Sequence, residues 1–411
     1  MTPVEEILRS RIRAAGRITF AEFMETALYD PGCGYYTRPG RISARGDYYT
    51  SPSIHPAFGA LICIQLCEMW LLLERPREFR CVEFGAESGT LASDIQAYAG
   101  RLNEDFARSL RYMGVDRAQA SPDCPEPGSL RQLAEAGELD AGGVGCVLSN
   151  ELLDAFPVHR FVIRSGTVRE LYVHMSGDSF DMQEGDPSSP EIERRVSGYL
   201  SRLPEGFTGE VRLGIDEWAG VVSSSLERGF ALTVDFGFER DALYSPARSS
   251  GTLRCYYRHT ETGDPFRHVG EQDMAAHVDF TEVDAALGRA GFVSVGHASQ
   301  REFLGRLGAG AFLSRLAQSV DSPAELLRNR AAILELVKPE GLGGFRVAIH
   351  GKGVAAGDAV LTGLVGSRDS DLGNLPVPVL AQDEDRVPML EGRYPHAVRE
   401  FTATWEELFR E

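Results

Sequence analysis

The sequence predicts an α/β protein built on a mostly parallel, doubly wound sheet. From Arg80 onward, short apolar runs typical of strands alternate with stretches at helical spacing, which is the pattern of strands joined by crossover helices. A turn that contains Gly85 and Gly89 follows the first of these strands, and Asp116 ends the second. In such sheets ligands bind beside the carboxyl ends of the strands, so these residues mark the expected binding edge.

The region before the sheet is predicted to be helical. Apolar residues recur at helical spacing in residues 4–12 and 20–28. Residues 30–56 contain Gly, Pro, Tyr and Ser every few positions and predict an ordered loop. Residues 57–73 are strongly apolar but too short for a bilayer span, so they predict a buried helix. We assign residues 1–77 to an N-terminal helical and cap region.

The predicted core covers residues 78–353 and carries two insertions, at about residues 165–225 and 240–285. Residues 176–190 are polar and acidic and predict an exposed loop. Residues 354–411 are rich in Gly, Asp and Pro and predict a C-terminal appendage with a helix near its end. The strand candidates, in chain order, are CVEF, YMGVD, VGCVLSN, HRFVIR, VRELYVH, FALTVDFG, FVSVGH and FRVAIH.

Composition and charge argue against several kinds of partner. The formal net charge is -18 and no basic patch stands out, so we expect no nucleic-acid substrate, whereas a cationic acceptor suits this field. The seven cysteines include no C-x-x-C pair and no zinc-like spacing, so we expect no metal. The N-terminus lacks the apolar region of a secretory signal. These features predict a soluble, cytoplasmic protein that acts away from membranes.

The turn after the first strand has residues that suit a nucleotide ligand. The segment CVEFGAESG starts at Cys81 and includes Glu83 within the strand. Gly85 lets the backbone turn tightly, Gly89 lets the next helix approach, and the start of that helix offers free N–H groups to a carboxylate. A purely structural turn would also use glycines at these positions, so the turn alone is a weak signal.

Asp116 supplies the second feature of the expected cofactor site. It follows YMGV one strand-helix unit after the glycines, where a carboxylate accepts hydrogen bonds from both hydroxyls of a ribose. Together the two features predict an adenosine-containing ligand. They leave NAD and S-adenosylmethionine equally open.

A third polar segment, SNELLDAFP, follows the apolar strand VGCVL. Its residues lie across the crevice from the glycine turn and face the reactive part of a cofactor. If the chain continues as a helical turn, Glu151 and Asp154 share a face. Two carboxylates there could steer a cationic nucleophile such as a guanidinium or accept its proton. The alternative is a helix cap with solvated acids.

These segments make the chain resemble the MidA-type S-adenosylmethionine-dependent methyltransferases, whose mitochondrial members assist complex I assembly by methylating an arginine of a partner subunit. The resemblance spans roughly Ile18 to Gly353. Besides the cofactor strand, it rests on ITFAEFMETALYDPGCGYY, GDYYTSP, NELLDAFPVHRF, VDFG, GTLRCYYRH, AHVDF and GGFRVAIHGKG, in this order.

The resemblance implies a class I, Rossmann-like methyltransferase with a seven-stranded, mostly parallel sheet, an N-terminal helical region and inserted cap elements. It implies S-adenosyl-L-methionine as cofactor and direct in-line displacement without a metal. The implied catalytic residues are Glu151, Asp154 and His259. The implied cofactor residues are Glu83, Gly85, Gly89, Asp116 and Asn150, with Gly46, Asp47, Thr50 and Pro52 from a covering loop. His259 and Asp235 are the weaker candidates, since each could equally stabilise a buried turn.

The chain departs from the family pattern at Ser53, Glu87 and Ala275, where the family has glutamate, glycine and threonine. Glu87 adds a negative charge beside the expected methionine carboxylate of the cofactor. Three functions therefore stay open: methylation of a protein arginine, O- or N-methylation of a metabolite, and a non-catalytic assembly role. The sequence leaves the acceptor and the oligomeric state open, with a homodimer among the options.

Overall fold

The computed structural model describes residues 1–37, 50–86, 89–116, 142–257, 260–354, 360–366 and 374–380. Its strands are β1 (Arg17–Thr19), β2 (Phe79–Phe84), β3 (Leu110–Val115), β4 (Gly143–Asn150), β5 (His159–Arg164), β6 (Thr167–Ser176), β7 (Ser179–Gly185), β8 (Thr208–Val211), β9 (Leu226–Asp235), β10 (Gly237–Phe238), β11 (Arg254–Tyr257), β12 (Thr260–Glu261), β13 (Asp273–Ala275), β14 (Val278–Asp279), β15 (Val293–Ser299) and β16 (Arg346–Lys352).

Its α-helices are α1 (Pro3–Ala15), α2 (Phe20–Tyr29), α3 (Ser51–Ile54), α4 (Ala57–Leu72), α5 (Thr90–Leu102), α6 (Glu104–Ser109), α7 (Pro190–Val196), α8 (Ile215–Ser224), α9 (Arg240–Leu243), α10 (Phe280–Arg289), α11 (Gln300–Leu307), α12 (Ala309–Arg315), α13 (Pro323–Leu336) and α14 (Thr362–Val365). Short 3-10 helices occur at Ser197–Tyr199, Pro246–Arg248, Leu316–Gln318 and Leu342–Gly344.

A mixed sheet forms the centre of the described molecule, with the strand order β15-β16-β9-β4-β2-β3. The four strands β9, β4, β2 and β3 are parallel, whereas β16 is antiparallel to both of its neighbours. The α/β prediction is confirmed. The prediction of a seven-stranded sheet is not confirmed, because the sheet has six strands within the described residues. One of them, β16, runs opposite to the others.

Helices cover both faces of this sheet, which explains why its parallel strands are apolar on both sides. On one face, α4, α5 and α11 bury residues such as Leu61, Ile95 and Phe303. On the other, α8 and α10 bury Trp218 and Phe280. The buried helix predicted at residues 57–73 is confirmed as α4, in which most residues are buried.

A second, antiparallel sheet has the order β1-β6-β5-β8, with β7 beside β6. Its β5 and β6 are the candidates HRFVIR and VRELYVH, and they pair with each other instead of extending the central sheet. The reason is the tight connection Ser165-Gly166, where φ is 50° and 73°, because two positive φ values give the turn that fits a two-residue hairpin. The exposed loop predicted at 176–190 is wrong in part: β7 lies there, and Phe180 anchors it in a core.

The N-terminal and C-terminal segments bury apolar residues in different cores. Leu8 of α1 and Phe23 of α2 pack against the second sheet. Beyond residue 354, Leu361, Val377 and Leu380 pack in the core of the central sheet. Residues 381–411, with the predicted terminal helix, lie outside the described residues. In the described part of the chain, no helix combines the length and apolar character needed to cross a bilayer.

Candidate active site

The end of β2 needs glycine for its conformation. Gly85 and Gly89 have φ values of 77° and 73°, a backbone conformation that residues with a Cβ rarely adopt. The N–H of Gly85 donates to the carbonyl of Val115 at 2.8 Å, which ties the turn to the end of β3. A Cβ on Gly114 would lie 2.7 Å from the Cβ of Ala86, so β3 also needs a glycine for this close approach. The turn therefore needs glycine both for its backbone conformation and for its close approach to β3.

Two carboxylates lie at the neighbouring ends of β2 and β3. Glu83 is buried and accepts a hydrogen bond from the Tyr112 hydroxyl at 2.8 Å. Burial raises the pKa of Glu83 to about 7; the Tyr112 hydrogen bond opposes this shift and the charge of Asp116 adds to it. Asp116 follows β3 directly and is half-buried. The two acids are close enough to interact, so this edge offers acceptors for ribose hydroxyls.

Glu151 begins the turn after β4 in a strained conformation. Its φ is 49°, in the left-handed region, so the predicted helical turn does not form here. Its side chain accepts hydrogen bonds from the backbone N–H of Ser51 at 2.7 Å and from the Asn150 amide at 3.2 Å. Burial raises the pKa of Glu151 to about 7, and the charge of Asp154 adds to the shift. Backbone strain outside glycine often marks a functional position.

Asp154 lies in the same turn, which Asp235 holds in place. The Asp235 carboxylate accepts the N–H groups of Leu153, Asp154 and Phe236 at 2.9, 3.3 and 2.8 Å. Burial raises the pKa of Asp235 to about 7. Burial also raises the pKa of Asp154 well above its usual range, with Asp235 and then Asp273 adding to it. Asp235 therefore stabilises a buried turn, which is the structural role that the sequence left open for it.

Asp273 brings a further carboxylate to this region from a distant part of the sequence. It is buried on β13 and accepts a hydrogen bond from the Tyr36 hydroxyl at 2.6 Å. The guanidinium of Arg212 donates to the main-chain oxygen of Asp154 at 2.9 Å and to that of His277 at 3.0 Å. Arg212 thus bonds backbone oxygens here, while the acidic side chains of Asp154 and Asp273 remain near each other.

The described part of the predicted covering loop contributes to the site through α3. Thr50 and Pro52 lie at its start and place the N–H of Ser51 on the Glu151 carboxylate. Ser53, one of the departures from the family, accepts from the Thr50 N–H at 3.1 Å and donates to the Thr50 carbonyl at 2.7 Å, so it closes this turn. The predicted site residues Gly46, Asp47 and His259, and the departure Glu87, lie outside the described residues.

Sequence reasoning missed four residues that shape this region: Ser51, Tyr36, Asp273 and Arg212. The first two stand inside the quoted segments GDYYTSP and DPGCGYY, so a closer look at those segments could have found them. Asp273 and Arg212 stand in no motif that we recognised. The turn that holds Asp154 joins them to the site only in three dimensions.

The described residues fit an adenosine cofactor with an amino-acid end. The glycine turn precedes α5, whose first N–H groups suit a carboxylate, and Asp116 lies where a ribose would be held. Asn150 is 9% exposed, and its side-chain Oδ1 has no hydrogen-bond partner among the described residues. Since buried polar atoms are normally satisfied, a ligand donor such as an ammonium group is expected there.

Curated relatives share about a quarter of their residues with this chain over most of its length. The "Protein arginine methyltransferase NDUFAF7 homolog, mitochondrial" of Drosophila melanogaster is 29% identical over 356 residues, covering 78% of this chain and 79% of the relative. The Rattus norvegicus protein arginine methyltransferase NDUFAF7 is 28% identical, covering 80% of each. These relatives are named as mitochondrial, so they do not support the cytoplasmic location expected from the sequence, which stays a prediction.

Two solved structures from Burkholderia thailandensis have a similar fold. One, a "likely methyl transferase" bound to S-adenosyl-homocysteine, matches with a TM-score of 0.75 and 28% identity over 88% of this chain and 94% of that one. The other, a native crystal structure of an uncharacterized protein, matches with a TM-score of 0.74 and 27% identity over 89% and 95%.

A family model described as "Putative S-adenosyl-L-methionine-dependent methyltransferase" matches residues 61–298, which is more than half of the chain. The match includes the glycine turn, the carboxylates of β2 and β3 and the Asn150–Asp154 turn. The family, the named relatives and the likeness to the S-adenosyl-homocysteine complex agree with the resemblance seen in the sequence. The chain belongs to this family of S-adenosyl-L-methionine-dependent methyltransferases.

Proposed function

We propose that this methyltransferase transfers a methyl group to an arginine side chain of a partner protein. The observation that carries the proposal is the group of buried carboxylates Glu151, Asp154 and Asp273 beside the end of β4. A guanidinium is a planar cation with five N–H donors, so it matches a site with several carboxylate acceptors. The acidic net charge of -18 and the names of the curated relatives support the same acceptor.

In methyl transfer the protein contributes mainly by positioning the acceptor and the cofactor, and it forms no covalent intermediate. S-adenosylmethionine, when bound, supplies a methyl group on a sulfonium with a good leaving group. Gly85, Gly89 and Asp116 would hold the cofactor, and Asn150 would accept from its ammonium group. Rate then comes from aligning the acceptor nitrogen with the methyl group in a site with little water.

Glu151 is the residue to which we assign proton transfer. Its pKa of about 7 means that a substantial fraction is ionised at neutral pH, and this fraction can accept a proton. The acceptor nitrogen gives up its proton as the nitrogen–carbon bond forms. Asp154, whose pKa is also raised by burial, would hold the guanidinium through hydrogen bonds, because a cation nearby favours its ionised form.

The test uses tritiated S-adenosylmethionine and a panel of arginine-containing peptides. Each peptide has a partner in which lysine replaces the arginine. We expect label only in the arginine peptides, and we expect Asp154→Asn to raise the KM for peptide much more than the Kd for cofactor. The cofactor Kd is measured separately by isothermal titration.

Three results would contradict the proposal. Equal labelling of the lysine peptides would remove the guanidinium as the recognised group. Labelling of small metabolites but of no peptide would favour a metabolite methyltransferase. Cofactor binding without transfer to any acceptor, from a lysate as well as from the panel, would favour a non-catalytic assembly role.

A further inference from the structure

A second polar cluster lies between helix α10 and strands β15 and β16, apart from the methyl-transfer site. It consists of Asp284 on α10, His297 on β15 and His350 on β16. Oδ1 of Asp284 is 2.9 Å from Nε2 of His350, and Oδ2 is 3.1 Å from Nε2 of His297. One ligand atom from each residue lies within 4.8 Å of the other two. Three groups that commonly bind metals thus converge on one point.

The sheet brings the two histidines together although they are far apart in the sequence. His297 pairs with Ala348, so His350 stands diagonally opposite on the same face of the sheet. The register shifts between Ser294 and Gly296, and an irregularity of this kind re-aims nearby side chains. The two rings lie with their centroids 6.1 Å apart and are nearly perpendicular, at 85°. They therefore approach the carboxylate from two directions.

Burial increases from the mouth of the cluster to its floor. The side chains of Asp284, His297 and His350 are 37%, 19% and 1% exposed. An ion could therefore enter from solvent beside Asp284 and reach a floor formed by His350. The Nδ1 atom of His350 has no hydrogen-bond partner in the described ranges, so Nε2 alone makes the polar contact of this buried ring.

We propose that Asp284, His297 and His350 bind a divalent transition-metal ion of the zinc class. Two imidazoles and one carboxylate, with a position left for water, are a ligand set that such ions use. In a tetrahedral site with bonds of about 2.0–2.1 Å, ligand atoms stand roughly 3.3 Å apart. Each nitrogen–oxygen separation is within a few tenths of an ångström of this value. Because the two histidines face different oxygens of Asp284, the carboxylate would turn both oxygens toward the ion or rotate to offer one of them.

Binding requires a change in where the ring protons lie. At present Nε of Arg346 donates to Nδ1 of His297 at 3.2 Å, which leaves the proton of a neutral ring on Nε2. To bind through Nε2, His297 must carry its proton on Nδ1 and Arg346 must turn away. Arg346 keeps an anionic partner when it turns, because its Nη2 is already 2.5 Å from Glu239. His350 must also move its ring proton from Nε2 to Nδ1 to bind the ion. Its Nδ1 has no hydrogen-bond partner among the described residues, so the buried N–H weakens binding without preventing it.

The ion would tie α10 to the two strands at this end of the sheet. It would therefore stabilise the folded protein, since a ligand that binds only the native state raises the free energy of unfolding. This proposal is independent of the acceptor of the methyl group, and failure of either leaves the other standing.

The experiment uses full-length protein treated with a chelator and then titrated with Zn²⁺ by calorimetry and with Co²⁺ by visible absorbance. We expect one equivalent of Co²⁺ to give the intense absorption of a low-symmetry site, and Zn²⁺ to displace it. Asp284→Asn and His297→Gln should each weaken Zn²⁺ binding at least tenfold. Both side chains are partly exposed, so these variants are expected to fold, which circular dichroism checks.

The matched control is His159→Gln on the second sheet. His159 is also a histidine paired with a carboxylate, Glu170, at 2.8 Å, but within the described ranges it has no third ligand of the proposed kind. Its substitution should leave Zn²⁺ affinity unchanged. Absence of stoichiometric binding to the wild type would overturn the proposal, and so would binding that survives in both Asp284→Asn and His297→Gln, because the ion would then lie elsewhere, for example on a cysteine.

Discussion

Buried carboxylates occur in two regions of this molecule that differ in their partners. Beside α10, the Arg240 guanidinium contacts Asp279 at 2.6 Å and Glu282 at 2.5 Å, and Arg289 contacts Glu282 at 2.7 Å. At the end of β4, the hydrogen-bond partners of the Glu151 carboxylate are a backbone N–H and an amide. The first region pairs each acid with an arginine, and the second holds acids on neutral donors.

This difference points to the acids that could receive a cationic substrate, although Asp235 shows that neutral donors also hold a structural carboxylate. Acids bridged by arginines already have the cation that burial demands, and they connect α9 and α10. At the end of β4 the donors to the Glu151 carboxylate are neutral, and the Arg212 guanidinium, whose charge opposes the rise that burial causes in the pKa of Asp154, donates its hydrogen bonds to main-chain oxygens. Acids held in this way are suited to a cation that comes and goes. Such perturbed groups beside a cofactor edge are candidates for catalysis.

The largest effect is expected from breaking the arginine-bridged region. Arg240→Met would leave Asp279 and Glu282, both largely buried, without their shortest ion pairs. Removing one partner of a buried pair costs about 3 kcal/mol of unfolding free energy. Urea unfolding measures this change, and methyl transfer per folded molecule should stay close to that of the wild type. A loss of activity without a loss of stability would mean that the two regions are not separate in function.

The next effect concerns the region with neutral partners. Glu151→Gln keeps the shape of the side chain but removes its ability to accept a proton. We expect kcat for methyl transfer to fall about a hundredfold, the usual contribution of a general base, while the Kd for S-adenosylmethionine changes less than about threefold. The matched control is Glu184→Gln on the second sheet, which should transfer methyl groups at the wild-type rate. Equal loss in both variants would remove Glu151 from the proposed role.

The pH dependence should show opposite trends for activity and stability. Because folding raises the pKa of Glu151 from 4.5 to about 7, its protonated form favours the folded state. This contribution to stability is fully present below about pH 4.5 and is lost as the pH rises through about 7. Activity should instead rise about tenfold between pH 6 and 8, as Glu151 becomes ionised.

Rate profiles and urea unfolding at several pH values would measure both trends. Glu151→Gln should flatten the rise in activity and remove its own part of the fall in stability. Asp154 and Asp235, whose pKa values are also raised, contribute to stability with the same sign and remain in this variant. A rate that is independent of pH in the wild type would contradict proton transfer to Glu151.

How much of this could be predicted from the sequence depends on how local each signal is. The glycine turn and Asp116 stand in short segments with a pattern of their own, and the structure places them at adjacent strand ends. The strained φ of Glu151 left no mark in the residue types, so a helical turn was the natural expectation. Asp273 is distant from Asp154 in the sequence, and only the fold brings its charge close enough to raise the pKa of Asp154.

The fold shows the same limit. Alternation of strands and helices predicts the α/β class, but it does not say which strands pair. The candidates HRFVIR and VRELYVH became a hairpin through the backbone of Ser165 and Gly166. The three groups proposed to bind a metal span Asp284 to His350, a spacing that no short motif covers.

The smallest effect on stability is expected from an arginine–glutamate ion pair that is exposed to solvent. Arg164 contacts Glu184 through Nε at 2.9 Å and through Nη2 at 2.7 Å, with side-chain exposures of 43% and 38%. The geometry is as favourable as beside α10, but water and salt screen the pair. Glu184→Gln should therefore leave the urea midpoint unchanged within about 0.2 M, at low salt as well as at high salt. A shift of the urea midpoint as large as that of Arg240→Met would mean that contact with an arginine decides stability whether or not the pair is buried. The two buried regions would then differ in stability only through the partners of their acids.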